Sequence, residues 1–256
     1  MAKTKKAKKS KSIKKNIDIK QTQPQLISIV LLCDLPGHRM KSYGPTSLVN
    51  VNDRYLIDIQ IDAIRKAFIN HEIIVCLGFD AEKVSKHIRS KYKHSNIRIV
   101  ENQIFHLCNS CEGIRLALNN TLNDKVLIVD GNLLVSKKTL CDVDLEASCV
   151  FIEKYPSDNL EIGININEKN EAQHFSFGAY KTWSEILFLH GMDQIEHIRK
   201  FLNHQDSKKK FMFEAMNDLL KNKYEINCIE NKHPVHKINN IKTYHYLKEN
   251  HEIFNI

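Results

Sequence analysis

The sequence predicts an α/β fold, a three-layer, doubly wound and mostly parallel sheet. Two observations predict it. Short apolar runs alternate with amphipathic segments from residue 26 to residue 132, and the first run, LISIVLLC, is apolar at nearly every position. Near-continuous apolar runs mark strands covered on both faces, and β-α-β alternation calls for a parallel sheet with right-handed crossovers.

Taken in order, residues 26–33 are the first strand. Residues 54–69 place Leu56, Ile57, Ile61, Ile64 and Phe68 at helical spacing. EIIVCLGF (72–79) is the second strand, and Asp80 is placed to cap the helix that follows it. Strand 96–102, helix 109–120 and strand 124–132 complete the alternating half. Segments 147–155, 160–167 and 172–180 then read as strands of a mixed or antiparallel extension. TWSEILFLHG and MDQIEHIRKFLNH read as two helices split by Gly191, with a polar loop at 203–210. A helix at 211–222, a strand at 224–230 and a closing helix near 240–250 end the chain.

Composition bounds the possibilities. The 256 residues are 42% hydrophobic, enough for a sizeable core. The formal charge is +8, but eight of the 38 basic residues lie in the first 15, which leaves 30 basic against 30 acidic residues elsewhere. The basicity thus belongs to an arm, residues 1–25, that is expected to be disordered. The arm is either a solubilising extension or a contact for nucleic acid, anionic lipid or an acidic partner. It has no apolar core of a signal peptide, and no run of 18 apolar residues spans a membrane. Seven cysteines, several inside apolar runs, suit reduced thiols and a cytoplasmic setting. The lone Cys108/Cys111 pair lacks the second ligand pair of a zinc site.

In doubly wound sheets ligands sit beyond the carboxyl ends of the strands. The loop Leu32-Cys33-Asp34-Leu35-Pro36-Gly37-His38-Arg39-Met40, the segment Gly44-Pro45-Thr46-Ser47-Leu48 and the turn Val129-Asp130-Gly131-Asn132 all fall there. With the order of elements, Asn109-Ser110 at a helix start and the FEAMNDLLKNKYEINCIE block, these residues resemble the nucleotidyltransferase family with the glycosyltransferase-A-type fold. The resemblance covers residues 27–247. That family opens with L-A-A-G-x-G-x-R-M, followed by P-K.

The resemblance implies transfer of a nucleoside monophosphate from a nucleoside triphosphate to a phosphorylated small molecule of the sugar 1-phosphate or phosphocholine type. It implies nucleotide binding by Leu32, Cys33, Asp34, Gly37, His38, Arg39 and Asn109. Arg39 and Asp130 take catalytic roles, and Glu214 faces the acceptor. Asp130, Asn132 and Asn239 would hold Mg2+. Charge that builds on crowded phosphate oxygens needs such cations and backbone amides. The chain departs from the pattern at four positions. Leu35 replaces a loop glycine, Thr46 the P-K lysine, and Asn132 and Asn239 the two metal-binding acids. Asparagine offers a metal a carbonyl oxygen without charge, so magnesium binding is expected to be weak or absent. Asp130 shares a strand face with Asn132 and partly offsets the loss, or caps the next turn. The departures leave open a catalytically degenerate binding module that acts through nucleotide, sugar or macromolecular partners.

Overall fold

The computed structural model describes residues 26–37, 40–154 and 161–250. The basic arm at 1–25 lies outside them. The first half contains β1 (Ile27–Cys33), a small hairpin of β2 (Asn50–Val51) and β3 (Arg54–Tyr55), α1 (Leu56–Ala67), β4 (His71–Leu77) and α2 (Ala81–Lys91). β5 (Ile97–Glu101), α3 (Ser110–Leu118), β6 (Lys125–Asp130), β7 (Leu133–Leu134) and α4 (Lys137–Cys141) follow. The second half contains β8 (Cys149–Ile152), β9 (Ile162–Ile166), β10 (Ala172–Phe177) and β11 (Lys181–His190). It closes with α5 (Met192–Asn203), α6 (Met212–Lys221), β12 (Asn227–Glu230), β13 (His236–Lys237) and α7 (Ile241–Glu249).

The central sheet runs β10-β9-β11-β6-β1-β4-β5, with β8 and β12 branching from β11. Strands β5, β4, β1 and β6 are mutually parallel, as their uninterrupted apolar runs require. β11 lies antiparallel to β6 and begins the mixed extension.

Alternation along β1 sends successive residues to opposite faces. Val30 and Leu32 join a core with Ile114, Ile198 and Met216 from α3, α5 and α6. Ile29 and Leu31 join a second core with Ile57, Ile61 and Ile64 from α1 and Val84 and Ile88 from α2. Each such fully buried aliphatic side chain contributes about 1.5–3 kcal/mol. Two helical layers therefore sandwich the sheet, and the chain is doubly wound in three layers. A third, smaller core lies at the carboxyl end of the sheet. There Tyr244 and Leu247 of α7 pack on Met40, Val51, Leu56 and Ile238.

One expected element is different. TWSEILFLHG is not a helix but the body of β11, buried from Ile186 to Leu189. A bulge shifts its register between Trp183 and Leu187, and Glu185 takes a left-handed φ of 56° there. The extra residue breaks the two-residue alternation, so the apolar positions imitate helical spacing. Arg54 and Tyr55, expected to open a helix, form the second strand of the hairpin instead. Asp80 precedes α2 as expected, but at φ 52° its carboxylate pairs with Lys83 rather than capping the helix.

Candidate functional site

β1 and β6 are adjacent strands whose connections leave in opposite directions, the switch point at which doubly wound sheets open a crevice. A cavity of about 340 Å3 lies there. Its floor is Leu32, Cys33, Asp34 and the turn Asp130, Gly131 and Asn132, and its walls include Lys237, Asn239 and Glu185.

Three glycines let the backbones approach this closely. A Cβ on Gly131 would lie 2.5 Å from the Cys33 sulfur and the Leu32 carbonyl oxygen. The Gly131 amide instead donates to that carbonyl at 2.8 Å and joins the two strand ends. Gly78 and Gly113 make room for Asp34, where a Cβ would meet its carbonyl oxygen at 2.4 Å and its carboxylate at 2.6 Å. The Asp34 carboxylate is turned inward, 2% exposed, and accepts from Asn102 Nδ2 at 2.7 Å. Burial pushes its pKa up to about 6, against the opposing pull of Asn102. Asp34 thus braces the loop from beneath. Burial likewise drives the Cys33 thiol well above its ordinary range, so it is an inert floor residue.

The loop above closes on Thr46. Its hydroxyl accepts from the Gly37 amide at 3.3 Å, and a Cβ on Gly37 would meet it at 2.9 Å. Leu35 stands partly exposed on the cavity wall. His38 and Arg39 lie outside the described residues.

The opposite wall starts from Asp130. Its carboxylate accepts from the Asn132 amide at 3.1 Å, which caps the turn. Buried Gln60 donates to the Asp130 and Leu133 carbonyls at 3.0 and 2.8 Å and fixes the turn to α1. Burial and the negative charge of Glu185 push Asp130 up to about 7, while Lys237 pulls it down. β13 pairs with β7, and the Ile238 amide donates to the Asn132 carbonyl at 2.9 Å. This pairing brings Lys237 and Asn239, two apart and so on one strand face, to the cavity beside Asp130 and Asn132.

Lys237 donates to Glu185 at 2.5 Å. Burial opposes its charge, but Glu185 and Asp130 outweigh that and hold its pKa above the ordinary lysine value. Asn239 Oδ1 already accepts from Asn240 Nδ2 at 2.7 Å and Thr243 Oγ1 at 3.1 Å. Asn132 Oδ1 is buried and has no hydrogen-bond partner among the described residues.

The residues Asp130, Asn132 and Asn239 therefore do line one cavity, but as a magnesium site they do not fit. Magnesium needs several hard oxygens held in near-octahedral array. Here the Asp130 carboxylate, with raised proton affinity, stands beside one free carbonyl, one committed carbonyl and the Lys237 ammonium, which already engages Glu185. Among the described residues no cluster of three His, Cys, Asp or Glu side chains is placed to hold a metal ion.

The remaining wall is apolar and aromatic: Phe177, Trp183, Phe211 and Met212. Asn109 does not line the cavity. Its side chain donates to the Lys209 carbonyl at 2.6 Å and ties α3 to the turn at 205–209, while its neighbour Ser110 reaches the cavity. Glu214 also stands off the wall and accepts from the Phe211 amide at 2.8 Å at the start of α6.

No protein-family model matches the sequence, and no curated protein matches it at a significant level. Solved structures do match. CTP:phosphocholine cytidylyltransferase from Streptococcus pneumoniae superposes with a TM-score of 0.73 at 20% identity, over 87% of this chain and 98% of that one. The inositol-1-phosphate CTP transferase of T. maritima gives 0.68 at 12% identity, over 86% and 94%. The nucleoside-diphosphate-sugar pyrophosphorylase of Vibrio cholerae RC9 gives 0.68 at 9%, over 87% and 99%. The fold is that of the nucleotidyltransferases. Identities this low speak to architecture, so chemistry in this nucleotidyltransferase fold has to be argued from the cavity itself.

Lys237 and Glu185 are among the cavity residues not foreseen from sequence. Lys237 was visible two positions before Asn239, but nothing marked it as facing inward. Glu185 gave no signal, because its segment reads as a helix. No helix among the described residues is long and apolar enough to cross a membrane.

Proposed function

We propose that this chain is a nucleotide-binding protein of the nucleotidyltransferase fold in which recognition has outlasted transfer. A nucleoside triphosphate, or a nucleotide joined to a phosphorylated small molecule, occupies the cavity between the β1 loop and the Asp130 turn. The observation that carries this reading is the composition of the phosphate end. Asn132, a committed Asn239 and the Lys237 ammonium line the crevice beside Asp130, where transfer chemistry calls for carboxylates. The cavity volume of about 340 Å3 lies in the range of small-molecule sites. Arg39 balances phosphate charge in this reading, with Gly37 in the loop beside it, and His38 is a further donor to phosphate. A cytoplasmic setting suits seven free thiols, and the basic arm is assigned a contact with nucleic acid or an acidic partner.

A second reading is nucleotidyl transfer to a sugar 1-phosphate or phosphocholine type of acceptor. The Asn132 carbonyl beside Asp130, which has no hydrogen-bond partner among the described residues, favours it, because a carbonyl oxygen can serve a cation. Calorimetric titration with the four common nucleoside triphosphates, paired with a pyrophosphate-release assay in the presence of phosphorylated acceptors, separates the two. Binding without pyrophosphate release is expected. Pyrophosphate release moves the conclusion to the second reading, and no binding at millimolar nucleotide removes both.

A further inference from the structure

We infer that Lys237 is the built-in cation of this cavity: its ammonium, poised by Glu185, takes the place among nucleotide phosphates that a divalent ion would take. Phosphate binding is then independent of magnesium. The inference rests on the reading that a nucleotide enters the cavity, and it adds which group receives the phosphates.

Four observations converge on it. First, the position is constructed. β13 exists only as two residues paired with β7, and that pairing sets Lys237 next to the Asp130 turn. Second, Glu185 holds a left-handed φ of 56° at the bulge of β11, a conformation that strains a non-glycine residue. The bulge projects its carboxylate, only 13% exposed, onto the Lys237 ammonium. A strained backbone retained inside a crevice is a reason to look for function there. Third, Lys237 lines two cavities, each of about 340 Å3, that also share Glu161, Glu185 and Asn239 as walls. Among the described residues, its one hydrogen bond is to Glu185, and an ammonium has three donors. Fourth, the neutral residues beside it would not compete for phosphate. Asn239 Oδ1 is occupied by Asn240 and Thr243, and Asn132 Oδ1 is buried without a hydrogen-bond partner among the described residues.

The charge state supports the geometry. Glu185 and Asp130 hold Lys237 protonated through neutral pH. In the ligand-free cavity Glu185 neutralises the ammonium, so Lys237 is not itself left as an isolated charge. When phosphate arrives, Lys237 exchanges one charge-assisted hydrogen bond for another. Glu185 is a positioning residue, and it also weakens the anion it prepares for by repulsion.

The test measures binding of ATP, CTP, GTP, UTP and inorganic pyrophosphate to the full chain, with excess EDTA and again with magnesium. Wild-type affinity for the ligand that binds is expected to differ by less than about threefold between the two buffers. Lys237→Met should weaken binding in EDTA by about 10- to 100-fold, the loss of one charged hydrogen bond, while Lys237→Arg retains most of it. Glu185→Gln should tighten binding several-fold, a gain that misfolding does not mimic. Binding that needs magnesium and is indifferent to Lys237→Met overturns the inference and leaves the nucleotide-binding reading standing. No binding by wild type in either buffer overturns that reading and the inference with it.

Discussion

Replacing Asp34 with asparagine should stabilise the protein at neutral pH and flatten its stability between pH 4 and 6.5. The carboxylate is buried beneath the β1 loop with Asn102 as its one side-chain hydrogen-bond partner among the described residues, and its pKa rises from 3.8 to about 6. Because the folded state binds this proton more tightly than the unfolded chain, folding loses stability as pH rises through that window. The penalty is absent below about pH 3.8 and complete above about pH 6. At about 1.4 kcal/mol per unit, a shift of this size corresponds to about 3 kcal/mol. Asparagine keeps the acceptor for Asn102 but adds an NH2 group that needs its own partner, so a net gain of about 1–3 kcal/mol is expected at pH 7.5. For a chain of this size that raises the melting temperature by roughly 2–4 °C per kcal/mol. Urea or thermal unfolding of both proteins at pH 4, 5, 6 and 7.5 measures the difference directly. A variant that is less stable than wild type by a similar amount at every pH would refute the reasoning, because it would make Asp34 a favourable partner rather than a desolvated one.

Two further predictions concern the same end of the sheet. Gly131→Ala places a methyl group 2.5 Å from the Cys33 sulfur and the Leu32 carbonyl; it should cost about 1–3 kcal/mol of stability by denaturation and reduce ligand binding with it. Glu214→Ala removes the acceptor for the Phe211 amide at the α6 terminus; it should cost about 1 kcal/mol while leaving nucleotide and acceptor binding unchanged, whereas a selective fall in acceptor binding would place Glu214 at the acceptor.

The parallel half of the sheet was legible because burial on both faces leaves a direct mark. Ile29 and Leu31 face one core and Val30 and Leu32 the other, so the whole run must be apolar. The cavity floor was legible for a related reason: strand ends and turns are announced by Gly37, Gly131 and Asp130. The Glu185–Lys237 pair was not legible. Its partners are 52 residues apart, one hidden in a bulge that imitates helical spacing and the other in a two-residue strand. Local pattern carries neither. The inward turn of Asp34 was equally hidden, since it depends on Gly78 and Gly113 from two other segments.

The small core formed by α7 has a consequence for the order in which the molecule assembles. Tyr244 and Leu247 seal the segment after β1 across about two hundred residues of chain, and Tyr43 meets His245 at a separation of 202 positions. Contacts so distant in sequence demand that most of the sheet already be in place, because closing so long a loop is unfavourable until other contacts have drawn its ends together. During synthesis the strand ends and the Asp130 turn leave the ribosome early, while the residues that wall the crevice, Lys237 and Asn239, come more than a hundred positions later. The crevice therefore stays half-built until Lys237, 107 positions after Asp130, has been made.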